Sequence, residues 1–298
     1  MKKGILAVIA VVVVLGLLGL GWWLIRDRDE DAGPAEKVAH SPTLTPEQRA
    51  EGIRKAVEAH RRWWREASYV EIRQAALDGD RVAQRRLSEV YEDCTAFGGA
   101  LASNLRMLSQ LNSADPNSQQ AIQTVFDAKR MCVQADADLQ KTPNLAEYWL
   151  HRSAKAGDLA AQIRYVGRNS QQVGLGQMRY FVEETRNTGD PAAMFEIATI
   201  VPRMRGSWPE AAQAEAFNGA LGQQAWTLAA CRAGFDCARG SRVMIQLCVG
   251  MFACNQPDFP SYYRANRSSS IDPAKLEATI AIINRSLLNP AAPPAAGG

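Results

Sequence analysis

Ala154-Lys155-Ala156-Gly157-Asp158-Leu159-Ala160-Ala161, with Tyr165 four residues further on, is the stretch from which the fold is read. The glycine follows a helical run, where a chain leaving a helix needs a left-handed residue. The aspartate beside it can cap the next helix. The alanine four places after the glycine lets that helix approach a neighbour closely. The residue eight places after it lies one step further along the same face. The same order recurs in Ala76-Leu77-Asp78-Gly79-Asp80-Arg81-Val82-Ala83, followed by Leu87, and in Thr188-Gly189-Asp190-Pro191-Ala192-Ala193, followed by Ile197. A looser copy is Cys231-Arg232-Ala233-Gly234-Phe235-Asp236-Cys237-Ala238, where Phe235 is inserted and Arg242 stands where an apolar residue is expected. Eight places before the glycine stand Trp149, Phe181 and Trp226, aromatics that would plug the space between paired helices. The first copy has Glu71 there instead. The glycines are 78, 32 and 45 residues apart, and the first interval is long enough for two units.

The remaining segments also show helical spacing and no strand alternation. Leu101, Leu105 and Leu108 fall on one face, as do Ile122, Val125 and Phe126. Thr45-Pro46-Glu47-Gln48 reads as a helix start with a capping box, and Asp272-Pro273 as a second cap-plus-proline start, opening a last helix through Ile280, Ile283 and Leu287. The expected class is all-α. Over roughly residues 69–249 the pattern resembles the Sel-one-like repeat, a relative of the tetratricopeptide repeat. The resemblance implies an α-solenoid, a curved stack of helix hairpins used as a scaffold or adaptor for protein contact rather than as an enzyme.

Gly4 to Ile25 is a run of 22 residues without a charge, and about 20 apolar residues cross a bilayer core as a helix. Trp22 and Trp23 fall at its far end, where aromatic rings favour the interface. Lys2, Lys3 and the terminal amine precede the run; Arg26 and Arg28, diluted by Asp27, Asp29, Glu30 and Asp31, follow it. That distribution places the N-terminus inside. A cleaved signal peptide would have a shorter apolar core and small residues at its end, where this chain has Gly-Trp-Trp-Leu-Ile. Residues 1–25 are therefore expected to be a cytosolic stub and transmembrane anchor, residues 26–44 a linker, residues 45–288 the helical repeat domain and residues 289–298 a disordered tail.

Six cysteines, an even number, are expected to form disulfides in an oxidising compartment. Cys94 and Cys132 are equidistant from position 113, inside a turn-rich stretch from Asn112 to Asn117, so a bond between them would close a helix hairpin. Cys231, Cys237, Cys248 and Cys254 allow three pairings. The local pairs Cys231/Cys237 and Cys248/Cys254 are slightly favoured, each able to staple a helix end to the loop that leaves it; the nested alternative would tie helix to helix. No Cys-x-x-Cys or Cys/His spacing suits zinc, so no metal is expected.

A net charge of +3 does not argue for nucleic acid. No phosphate loop, nucleophile elbow, paired-histidine zinc motif or dinucleotide fingerprint is present, so neither a cofactor nor a catalytic residue is assigned. His40, His60 and His151 have no partner at catalytic or metal spacing. The densest unusual cluster is Arg61-Arg62-Trp63-Trp64-Arg65, a candidate contact patch for an acidic partner or a membrane surface. Its bland alternative is one buried Trp, with the arginines in water or stacked on the other ring. The leading reading is a single-pass inner-membrane protein whose periplasmic helical domain binds another protein of the cell envelope, with the bilayer itself met through residues 4–25. An envelope hydrolase with a site assembled from distant residues, or a structural subunit of an envelope assembly, are the rivals.

The topology is tested by fusing a reporter that works only in the cytosol after Pro46. It should stay silent, and activity would reverse the orientation and remove the reason for expecting disulfides.

Overall fold

The structure, a computed structural model, describes residues 45–110, 116–142, 144–251, 253–265 and 271–287. Twelve α-helices follow one another among these residues: α1 Pro46–Arg61, α2 Tyr69–Leu77, α3 Arg81–Gln110, α4 Pro116–Lys141, α5 Leu145–Lys155, α6 Leu159–Asn169, α7 Leu175–Thr188, α8 Pro191–Ile200, α9 Gly219–Arg232, α10 Arg242–Met251, α11 Phe259–Ala265 and α12 Pro273–Ile282. π-Helical turns, Arg62–Glu66 and Ile283–Leu287, extend α1 and α12. No strand occurs among the described residues, so the chain is all-α there. None of their helices is long and apolar enough to cross a membrane. The span expected over residues 4–25, the linker, the tail and most of the turn from Asn112 to Asn117 lie outside the described residues.

The local rules of capping set the helix ends. Thr45 and Gln48 form the capping box of α1, and Pro46 occupies its first turn. Ser68 and Glu71 form a second box on α2. That box explains the missing aromatic in the first copy of the repeated pattern, because Glu71 is committed to the backbone while Tyr69 and Ile72 fill the core. Gly79, Gly157, Gly189 and Gly234 all have positive φ, between 66° and 106°. Asp80 accepts from the Ala83 amide, Asp158 from Ala161 and Asp190 from Ala192, each at 2.7–2.9 Å. Asp272 caps α12 in the same way through Ala274.

Ala83, Ala161 and Ala193 are completely buried, as are Leu87 and Ile197, while Trp149, Phe181 and Trp226 are buried between helices. Trp226 satisfies its indole N–H on the Ala216 carbonyl, 3.0 Å away. Two features depart from the expected pattern. Tyr165 is only half-buried, with its ring beside His151, and Ile163 takes the inward position instead. In the fourth copy Gly234 turns the chain, but the next helix starts only at Arg242, so Ala238 is exposed in a loop. Phe126, expected on the face of Ile122, is 49% exposed. The side chains of Leu101, Leu105, Leu108 and Val125 lie outside the described set.

α3 packs on α2, α4 and α5; α6 lies on α5 and α8; α9 lies on α8 and α12; and α10 comes back to touch α4. A large core spans α6 to α9 with α12, and a second joins Trp63 to α2, α3, α4 and α5. Three disulfides close the set: Cys94–Cys132, Cys231–Cys237 and Cys248–Cys254, the local pairing for the last four. The first ties α3 to α4 across 38 residues, which is worth about 4 kcal/mol on the loop-entropy estimate. α1 crosses the turns of the later copies. A Cβ added at Gly189 would lie 2.5 Å from Ile53, and one at Gly234 would lie 2.9 Å from Val57.

Two turn glycines separate the backbone effect from the packing effect. At Gly79 a Cβ would meet nothing within 4 Å, so Gly79→Ala should cost only the left-handed penalty, about 1–2 kcal/mol in denaturant unfolding. Gly189→Ala should cost more, because of Ile53. An Ile53→Ala background should shrink the difference between the two; an unchanged difference would mean that α1 does not press on that turn.

Candidate functional site

Second helices of the repeated pattern carry a charged residue at an equivalent place. Seven positions after the glycine stand Arg86, Arg164 and Glu196 in the first three copies, and Arg242, the first residue of α10, brings a further charge to them. Helical periodicity turns the first three to the same side as the buried alanines' helices close in. α3 adds Arg85, Glu89, Glu92 and Asp93. The result is a charged layer running from α3 through α6 and α8 to α10.

Glu89 is its centre. It accepts the Trp64 indole N–H at 2.7 Å and the Arg164 guanidinium at 2.5 Å, with Arg86 at 3.8 Å and Arg242 at 4.0 Å. Its side chain is 5% exposed. Burial alone would raise this carboxyl, but Arg164, Arg242, Arg85 and Arg86 together hold it well below the usual carboxylate range. Arg242 grips Asp93 with two nitrogens at 2.7–2.9 Å and reaches Glu92 at 2.9 Å; Glu92 also meets Arg164 and Arg168. Arg85 pairs with the capping Asp158 at 2.9 Å, both side chains nearly inaccessible. Glu196, in contact with Arg164 at 3.9 Å, is pushed upward by burial.

The basic aromatic cluster lies beside this layer. Trp63 is 4% exposed, with Arg62 over its ring. Trp64 is half-buried, sandwiched by His60 at 4.2 Å and by Arg85 at 4.8 Å. Arg65 is bound by both oxygens of Asp236, and Arg61 pairs with Glu58 and Glu66. Trp63 is thus enclosed by the fold, while Arg61, Arg62 and Arg65 stay exposed beside the half-buried Trp64. The arginines and His60 were visible in the sequence, but the acids that meet Trp64 and Arg65 lie 25 and 171 residues away.

Beside Trp64 opens a cavity of about 370 Å3. Its walls are α3, α4, α10 and the loop from Asp236 to Ser241, and they include sulfurs of two disulfides, Cys94–Cys132 and Cys248–Cys254. On the outer side, large apolar residues are left exposed in pairs seven apart: Val70 and Leu77 on α2, Phe126 and Val133 on α4. Helical geometry puts each pair on one face. The two helices are neighbours, joined by Asp138, which accepts from Tyr69 at 2.6 Å and from Arg73 at 3.0 Å. Among the described residues, no group of three or more His, Cys, Asp or Glu is placed to hold a metal ion.

His60 gives the layer a pH signature. Burial, then the nearby Arg85, lowers its pKa to about 4. The folded value lies below the unfolded one, near 6.5, so neutral His60 contributes stability that is intact above 6.5 and is lost as pH falls towards 4. The loss should approach about 3 kcal/mol. Glu89 contributes to a separate loss, below the normal carboxylate range. His60→Phe should flatten unfolding free energy between pH 6.5 and 4.5 while leaving the steeper acid limb; an unaltered profile would show that His60 is not buried neutral. Compared with family models, with curated proteins and with solved structures, the chain matches none.

Proposed function

We propose that this chain is a membrane-tethered helical-repeat scaffold that binds another protein of the cell envelope through the outer faces of α2 and α4. The carrying observation is the pair of exposed apolar rows, Val70/Leu77 and Phe126/Val133, on two adjacent helices at one end of the stack. Val133 is 67% exposed and Val70 61%, while Tyr69, Ile72, Ala121 and Ala135 on the same helices are buried. Apolar rows at helical spacing are what a partner helix or groove reads. The four left-handed glycines, three aspartate caps and buried alanines support the Sel-one-like reading of the stack, whose relatives serve as scaffolds.

The inner side of the stack is filled by the chain's own α1, Trp64 and charged layer, which directs a partner to the outside. Six cysteines in three bonded pairs support an oxidising compartment, and the uncharged run from Gly4 to Ile25 supports the tether.

A photo-crosslinking residue placed at Phe126 or Val133 in the full chain should yield a discrete protein adduct in intact cells. The same residue at Glu183 on α7 should not. Adding Val133→Asp should weaken the adduct formed from position 126 several-fold. Equal adducts at all positions, or none at either α4 position, would overturn the assignment.

A further inference from the structure

The cavity beside Trp64 contains a charge that the fold satisfies only in part, through Glu89 at 3.8 Å and the Trp64 ring at 5.6 Å. Arg86 is 8% exposed, and its Nε is shielded from solvent without a hydrogen-bond partner among the described residues. One terminal nitrogen lies 3.6 Å from the Met131 sulfur, a weak acceptor. The other lies 3.8 Å from Glu89, whose two oxygens are already taken by Trp64 and Arg164. Burial depresses the guanidinium's pKa, Glu89 and Asp93 do not offset it, and Arg242 and Arg164 press in the same direction. A buried cation normally carries a full complement of acceptors.

Three acids stand on the wall, Asp93, Asp127 and Asp236, and Asp127 accepts from the Gln123 amide at 2.9 Å. Asp93 is occupied by Arg242, and Asp236 by Arg65. Arg239 donates only to the main-chain carbonyls of Asn255 and Gln256, adding a second cation without a carboxylate. Val90, Met131, Met244, Ile245 and the Trp64 ring give the wall an apolar stretch, beside the polar Thr124 and Gln120. About 370 Å3 falls in the range of small-molecule sites, which pair an apolar lining with a few fixed polar groups.

We propose that this cavity binds a small organic carboxylate, its carboxylate on the Arg86 guanidinium and its apolar body against Met131, Met244 and Ile245. A guanidinium fork matches a carboxylate with two parallel hydrogen bonds. A single negative charge fits, because Asp93 and Asp236 on the same wall would repel a dianion such as phosphate. The site shares no residue with the outer rows of α2 and α4, so it stands independently of the partner-binding reading.

The test uses the full chain in amphipol, titrated with benzoate and 3-phenylpropionate and with their uncharged amides. Trp fluorescence and ligand-observed saturation transfer report binding. At least one carboxylate should bind saturably and at least tenfold more tightly than its amide. Arg86→Met should bring that ratio to about one, with some loss of thermal stability because Arg86 also faces Glu89 and the Trp64 ring. Ile245→Trp, which fills the space without touching a charge, should abolish binding of acid and amide alike. Should Arg86→Met fail to fold, the wild-type ratio and Ile245→Trp decide. No saturable carboxylate, a wild-type ratio of one, a ratio that survives Arg86→Met, or binding that survives Ile245→Trp each overturns the site.

Discussion

Glu89 is the charge on which the arrangement of the helices depends. It lies on α3, and its neighbours come from the π turn after α1, from α6 and from α10. A carboxylate this deep is tolerated only when it is hydrogen-bonded and paired, since desolvating an ion costs several kcal/mol. Each of those elements must therefore arrive in register for any of them to be stable. Hydrophobic burial supplies most of the folding free energy, but it is non-directional. The carboxylate and its arginines add direction, selecting which face of α6 and α10 turns inward.

The same requirement explains why α1 is docked rather than free. Trp64 brings an indole N–H to Glu89 and a ring to Arg85, while His60 stacks on the other face of that ring. Arg65 then clamps Asp236 in the loop before α10. A segment that precedes the first repeated copy thus completes the last one. The disulfides act at the same periphery, holding α3 to α4 and fixing both ends of the loop that carries Asp236.

Much of the fold was legible because its determinants are local. Glycine after a helix, aspartate beside it and alanine four places on are read within one turn of chain, and the φ values and cap hydrogen bonds agree at Gly79, Gly157 and Gly189. Pairing Cys94 with Cys132 needed only a symmetric hairpin. The charged layer was not read from sequence, although Arg86, Arg164 and Glu196 sit at one repeat-equivalent place. An arginine on a helix resembles a solvated one until the elements facing it are known. Trp63 is buried and Trp64 lies half-buried under Arg85, close to the bland reading of that cluster, but the acids that meet it, Glu89 and Asp236, are distant in sequence.

Repeat stacks usually gain and lose units freely in evolution, because each unit touches only its neighbours. Here Arg242 of the last copy holds Glu92 and Asp93 of the first, about 150 residues earlier. Inserting or deleting one hairpin would shift that arginine away and leave Asp93 without the guanidinium that grips it. A contact of that span fixes the length of chain between α3 and α10 as firmly as a packed side chain fixes its neighbour.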